Sequence, residues 1–230
     1  AIKDVFEDTR SIAEPAGALA VAGLKKYAEQ QEWQAESLIA IVSGANMNFD
    51  RLRYIAERTE LGEGTEALFA VTIPEQAGSF LTFCRLLGER RAITEFNYRY
   101  NHSESAQVFV GIRLQKGQKE KQEILALLSD AGFFAEDLSG NEMAKLHLRH
   151  LVGGRGGHIV NEQLYRFEFP ERPGALLKFL SSMSSGWNIS LFHYRNHGAA
   201  EGTVLAGIQV PPDEKSVFEA FLSSLAYPFV

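Results

Sequence analysis

The stretch FPERPGALLKFL, residues 169–180, has a paler copy, IPEQAGSFLTFC, at residues 73–84. Without gaps, an offset of 96 residues aligns positions 68–112 with positions 164–208, and 13 of the 45 pairs are identical. They include Pro74/Pro170, Glu75/Glu171, Gly78/Gly174, Phe83/Phe179, Ile93/Ile189, Phe96/Phe192, Tyr98/Tyr194, Arg99/Arg195 and Gly111/Gly207. One register held over that length describes a fold written twice, and repeats of this kind take precedence over any local reading.

Each copy reads the same way. LFAVTI (68–73) and LYRFEF (164–169) are β-branched or aromatic runs stopped by a proline, which cannot continue a central ladder. After PEQAG and PERPG the apolar residues recur at helical spacing. AITEFNYRY and NISLFHYRN alternate as strands do, and each is followed through polar turns by a second strand, AQVFVGIRL or GTVLAGIQV. Helical spacing returns in KEKQEILALLSDA and DEKSVFEAFLSSL, and GFFAEDL closes the first copy with a strand. The order is βαββαβ, an α+β fold of two tandem ferredoxin-like domains with helices on one face of an antiparallel sheet. Residues 66–139 form the first domain and 162–230 the second, whose last strand is expected to be only starting at Val230. Between them, 140–161 reads as a linker containing a short helix and the flexible joint VGGRGG.

Residues 1–62 differ in kind. GALAVAGLKKYAEQ is an Ala-rich helix opened by Glu14 and Pro15, SLIAIVSG an apolar strand breaking at Gly44, and FDRLRYIAERTEL a further helix capped by Asn48 or Asp50. One strand makes no sheet, and the chain opens without a methionine. The sequence is therefore read as part of a longer polypeptide, with any targeting segment out of view.

Composition bounds the function. The 230 residues carry a net charge of −6 and no basic tail or stripe, which argues against a nucleic-acid partner. No apolar run reaches the roughly 18 residues of a membrane helix. Cys84 is alone and reads as a small core residue. His193 has no second ligand at suitable spacing, so no metal site is expected. A free amino acid needs donors for its carboxylate and an apolar pocket. The two turns offer both, through helix N-terminal amides at Gly78, Ser79 and Phe80 or at Gly174, Ala175 and Leu176.

Glu14–Ala18 (EPAGA) followed by Ser43–Asn46 (SGAN) resembles the end of the catalytic domain of serine/threonine dehydratases, the fold-type II pyridoxal-phosphate enzymes. The resemblance implies that Ser43 hydrogen-bonds the pyridine nitrogen of pyridoxal 5'-phosphate and that Glu14 lies beside the cofactor. Ala45 departs from the family's common glycine. The Schiff-base lysine and the phosphate loop lie upstream in that family, so no residue of this chain is assigned as catalytic and the chain alone is expected to be inactive.

FPERPGAL, WNISLFHYR and VLAGIQVP in turn resemble the paired ACT-like regulatory domains of biosynthetic threonine ammonia-lyases. That family converts L-threonine to 2-oxobutanoate and ammonia on the way to isoleucine, is inhibited by isoleucine with valine opposing, and is typically a homotetramer. The resemblance implies effector-site roles for Tyr98 and Tyr194 and, beside them, Arg99 and Arg195. It also implies a cytoplasmic enzyme, or one of the plastid stroma in a plant. The residues alone leave open a non-catalytic amino-acid-binding or assembly module, a Tyr-Arg pair that fills a domain interface, and a different lyase of the same fold type. They do not say which domain takes which effector.

Overall fold

The computed structural model describes residues 1–33, 36–88, 90–100, 104–141, 143–144, 147, 159–170, 172–184, 186–196, 201–225 and 227–230, leaving aside the side chains of residues 57, 60 and 61. The chain divides into two compact units, Ala1–Gly62 and Glu63–Val230.

The first unit holds helices α1 (Ile2–Thr9), α2 (Pro15–Gln30) and α3 (Phe49–Gly62). Pro15 stands where its missing N–H costs nothing, and Glu14 precedes it in an extended conformation as the N-cap. Asn48 caps α3, its Oδ1 accepting from the Arg51 amide at 2.9 Å. The strand expected over 37–44 is absent as a paired element. Residues 36–48 carry no regular structure, and Ile39 and Ile41 are 90% and 78% exposed. A strand is held by its ladder, and this unit supplies no second strand among the described residues.

The second unit contains both copies. The first runs β1 (Glu66–Pro74), α4 (Ser79–Leu87), β2 (Ile93–Arg99), β3 (Ser105–Arg113), α5 (Gly117–Asp130) and β4 (Phe134–Asp137). The second runs β5 (Glu162–Pro170), α6 (Ala175–Ser182), β6 (Asn188–Arg195), β7 (Glu201–Gln209), a 3-10 turn over Pro212–Glu214, and α7 (Lys215–Ser224). The 140–161 linker lies mostly outside the described residues. At the C-terminus, Phe229 bridges Phe167, and Arg166 and Val230 exchange backbone hydrogen bonds at 2.9 and 3.0 Å. This begins on β5 the pairing that β4 makes with β1.

All seven strands join one antiparallel sheet in the order β4-β1-β3-β2-β6-β7-β5. The seam between copies is β2 against β6, with Phe96 opposite Tyr194, Asn97 opposite His193 and Tyr98 opposite Phe192. Asn97 and His193 are themselves repeat equivalents, 96 residues apart. An antiparallel pairing centred on equivalent residues relates the copies by a local two-fold axis at that point. On the helix-bearing face the equivalents Phe96 and Phe192 meet edge to face, with ring centroids 5.7 Å apart. Both are essentially buried, within a core that also takes Phe69, Phe83, Phe167 and Phe179.

Successive residues of a strand point to opposite faces, so Tyr98 and Arg99 part company at the seam. On the helix-free face Arg99 Nη1 donates to Glu162 Oε1 at 2.7 Å, an ion pair from the first copy to the second. Ser190 Oγ donates to the same oxygen at 2.6 Å, and in the first copy the equivalent Thr94 hydroxyl donates to Glu66 at 2.5 Å. Gly111 and Gly207 make room for these clusters: a Cβ on Gly207 would lie 2.7 Å from Glu162 Oε1 and 2.8 Å from Ser190 Oγ.

Candidate functional site

The first helix of each copy is entered through a glycine that no L-residue replaces without strain: Gly78 has φ 88° and Gly174 φ 83°. Each entry turns the chain sharply from the Pro-terminated strand into the helix. In the second copy the Ala175 amide reaches the Arg172 carbonyl only at 3.4 Å. The amides of Gly174 and Leu176 have no backbone acceptor among the described residues. In the first copy the Ser79 amide is more firmly engaged, by the Gln76 carbonyl at 3.1 Å. One of the three amides expected to face a carboxylate in each copy is thus partly occupied.

A cavity opens beside the second of these turns. It holds about 490 Å³ of space not filled by atoms, part of it open to solvent. Gly174, Ala175, Leu176 and Tyr194 line one side, bringing together all the second-copy residues singled out from sequence except Arg195. The opposite wall comes from the first copy, through Cys84 and Gly88 at the end of α4 and through Arg91 and Ile93. Neither this wall nor the two guanidinium groups at the cavity, Arg91 and Arg172, was found from sequence. Arg172 stands in the PERPG turn already quoted. Arg91 carried no signal, because only the seam brings it there.

Arg91 is oriented by its own domain. Its Nη1 donates to the Leu87 carbonyl at 2.6 Å and its Nε to Glu120 Oε1 at 3.4 Å. Burial by itself would raise the Glu120 carboxyl. Hydrogen bonds from the Gln115 and Lys116 amides, with Arg91 beside them, outweigh it and hold Glu120 below the ordinary carboxylate range. The anion that positions Arg91 therefore stays charged. The Cys84 thiol, by contrast, is pushed far up by burial and stays protonated and inert.

The first-copy residues are placed differently. Tyr98 is 3% exposed, and its hydroxyl donates to Glu75 Oε1. Burial first, and then Glu75, raise that hydroxyl well above the ordinary tyrosine range. Phe80 covers Tyr98 with its ring centroid 4.5 Å away. Glu171, the counterpart of Glu75, lies outside the described residues. Arg99 is drawn to Glu162 on the far face of the sheet, away from Tyr98. Arg195, its equivalent, stands opposite Glu95 on that same face. Among the described residues no cluster of His, Cys, Asp or Glu is disposed to hold a metal ion, and no helix is long and apolar enough to cross a membrane.

In the first unit the two quoted motifs meet. The Glu14 amide donates to the Gly44 carbonyl at 3.1 Å and the Ser43 amide to the Gly17 carbonyl at 3.3 Å. Contact is so close that a Cβ on Gly17 would fall 1.6 Å from the Ser43 carbonyl oxygen. Gly44 has φ 80°, and a Cβ there would fall 2.2 Å from Glu14 Oε1. The fold therefore sets Ser43 at the α2 N-terminus, with the Glu14 carboxylate against the next residue. The backbone bonds fix exposed Ser43 beside Glu14, and a serine hydroxyl is a donor chemically suited to a neutral aromatic nitrogen, so the pair is compatible with the end of pyridoxal phosphate that the sequence resemblance implies.

A model of the C-terminal regulatory domain of threonine dehydratase matches residues 57–148 and again 153–230. The biosynthetic L-threonine dehydratase of Burkholderia multivorans is 56% identical over 230 residues, all of this chain and 45% of that protein. That of Escherichia coli is 56% identical over 227 residues, 99% of this chain and 44% of the relative. The mitochondrial threonine dehydratase of Saccharomyces cerevisiae is 48% identical over 241 residues, covering this chain fully and 42% of its own length. The chain thus spans less than half the length of these relatives. With its regulatory fold written twice, it belongs to the threonine dehydratase family, of which it carries the C-terminal regulatory region.

Proposed function

We propose that the cavity between α4 and α6 binds a free branched-chain amino acid and that its occupancy regulates a threonine ammonia-lyase of which this chain is part. One observation carries the reading: Gly174, Leu176 and Tyr194, from three points of the second copy, converge with Arg91 of the first on one partly apolar cavity. The Leu176 amide and the guanidinium groups of Arg91 and Arg172 suit a carboxylate. Leu176, Ile93 and Phe192 suit an aliphatic side chain, and the Tyr194 hydroxyl can accept from an ammonium group. Because the walls come from both copies, a ligand there favours one arrangement of the seam over others. The coupling it exerts on catalysis is limited to its difference in affinity between arrangements, typically about 1 to 3 kcal/mol.

In this reading isoleucine is the inhibitor and valine its antagonist. A methylene separates them and is worth only about 1 to 3 kcal/mol of discrimination. The full-length protein removes water from L-threonine to give 2-oxobutanoate and ammonia. Pyridoxal 5'-phosphate, when bound, supplies the electron sink for that elimination. Ser43 would donate to the cofactor's ring nitrogen without forcing its protonation, and Glu14 would stand beside it, both fixed by the reciprocal backbone bonds of Gly17 and Gly44. The assembly is a homotetramer in this reading, which sedimentation of the full-length protein checks.

Calorimetric titration of the full-length protein with isoleucine and valine tests the central claim. Saturable heat with isoleucine, abolished by Tyr194→Ala and Arg172→Ala, is expected. No heat at millimolar isoleucine refutes it.

A further inference from the structure

A second hollow adjoins the second-copy helix entry, within the Glu63–Val230 unit. It is a groove holding about 1370 Å³ of space not filled by atoms, much of it open to solvent. Helix α4 contributes Arg85 to it, and the second copy contributes Arg172, Lys178, Ser181 and Ser182. Tyr227, buried, also lines it, and its hydroxyl donates to the Ala175 carbonyl at 3.4 Å.

The charge of this groove is of one sign. Arg85, Arg172 and Lys178 are exposed, and no carboxylate lines the groove among the described residues. Other cations of the same unit are paired, Arg91 with Glu120 at 3.4 Å, Arg99 with Glu162 at 2.7 Å and Lys121 with Asp137 at 2.7 Å. Acids outnumber bases in the chain by 29 to 23, so three cations gathered without an acid run against its composition. A concave surface lined by one sign of charge focuses the field and raises the local concentration of counter-ions. Two guanidinium groups and an ammonium group can also engage several anionic oxygens at once, more than a single carboxylate offers. In the first copy the equivalents of Arg172 and Lys178, 96 residues earlier, are the neutral Gln76 and Thr82, so the two-fold at the seam generates no second groove of this kind.

We propose that this groove binds a small dianion, a phosphate monoester or a dicarboxylate, and that the dianion competes for Arg172 with an amino acid in the adjoining cavity. The turn at residues 172–175 and Leu177 line both openings, and Arg172 is the cation common to the two. A guanidinium group drawn to an anion in the groove is withdrawn from a carboxylate in the cavity. The competition rests on reading the cavity as an amino-acid site. The groove does not, and is tested without an amino acid.

Calorimetric titration of the full-length holoenzyme with glycerol 3-phosphate and with succinate, each at an ionic strength matched by potassium chloride, reads the groove. Saturable heat with one of the two is expected, and the one that binds assigns the class. The double variant Arg85→Gln, Lys178→Gln alters two exposed side chains that do not line the cavity and should weaken that binding at least tenfold. A saturating dianion should raise the dissociation constant of isoleucine severalfold in the parent and leave it unchanged in the variant. No saturable heat with either dianion, or equal binding in the variant, overturns the groove. A bound dianion that leaves the isoleucine constant of the parent unmoved overturns the competition. Dianion binding lost in the variant, with isoleucine bound by neither protein, upholds the groove and overturns the reading of the cavity.

Discussion

Gly207→Ala should break a cross-domain ion pair it does not itself belong to. The residue lies in mid-strand, where alanine is ordinarily better than glycine by about 0.5 to 1 kcal/mol. Here the new Cβ would come 2.7 Å from Glu162 Oε1, 2.8 Å from Ser190 Oγ and 3.0 Å from Leu191 Cβ. Leu191 Cβ is fixed by the β6 backbone, so the carboxylate is what gives way. It leaves both the Ser190 hydroxyl, at 2.6 Å, and Arg99, at 2.7 Å. Hydrogen bonds to charged groups are worth roughly 1.5 to 3 kcal/mol each. With Arg99 and Glu162 24% and 17% exposed, solvent screening takes the pair toward the low end. Set against the backbone gain, the net cost is about 1 to 3 kcal/mol. Urea unfolding followed by Trp187 fluorescence, in a Trp33→Phe background, measures it. Arg99→Met added to Gly207→Ala should then cost much less than Arg99→Met alone, since the pair is already lost. A neutral or stabilising Gly207→Ala, or costs that simply add, would refute the argument.

Two further outcomes are expected. Gly17→Ala places a Cβ 1.6 Å from the Ser43 carbonyl oxygen and 2.9 Å from that of Gly44, both backbone atoms that cannot step aside cheaply. Hydrogen exchange at the Glu14 and Ser43 amides should accelerate at least tenfold, a loss of about 1.4 kcal/mol or more of local protection, and unchanged exchange would show that the motifs are not held by this contact. Acid should loosen the first copy of the regulatory unit. Burial tends to raise the Asp137 carboxyl, but the Lys121 ammonium at 2.7 Å and the Ser139 hydroxyl and amide hold it below its ordinary 3.8, as Glu120 is held below 4.5. With folded values depressed, the stabilisation is whole above the unfolded carboxylate range and is lost as pH falls through the folded values. Unfolding midpoints measured from pH 6 down to 3 should therefore fall, and Glu120→Gln should flatten the slope.

The order of elements was legible because its signals are local. The prolines at 74 and 170 end strands, the glycines at 78 and 174 enter helices, and the alternation of 93–99 and 188–195 needs no knowledge of partners. What lies across the seam was not legible. Nothing in FNYR or LFHYR says that these strands pair with each other rather than forming sheet edges. The pairing is what sends Arg99 to Glu162 and brings Arg91 to a cavity of the other copy. The apolar run 37–44 has the composition of a buried strand, and among the described residues this unit offers it no second strand to pair with, as the single strand read from sequence implied. Glu14 and Ser43 were linked only by resemblance, and the Gly17 contact that joins them is invisible in spacing.

The seam also separates the two members of the Tyr-Arg dipeptide that stands at equivalent places in the copies. On β6 the tyrosine side faces the helices and the cavity, and the next residue faces the other side, where the copies are tied by ions. In the proposed reading, ligand contact at Tyr194 on β6 and the cross-copy ion pair of Arg99 on β2 thus lie on the two strands that pair at the seam. Strand β6 is central, paired on both edges by β2 and β7, and cannot shift without moving both copies. In the proposed reading, a ligand drawn against Tyr194 would act on the element that sets how the two domains meet. An isolated copy, which lacks the seam, would have the tyrosine but neither the opposite wall of the cavity nor anything to register.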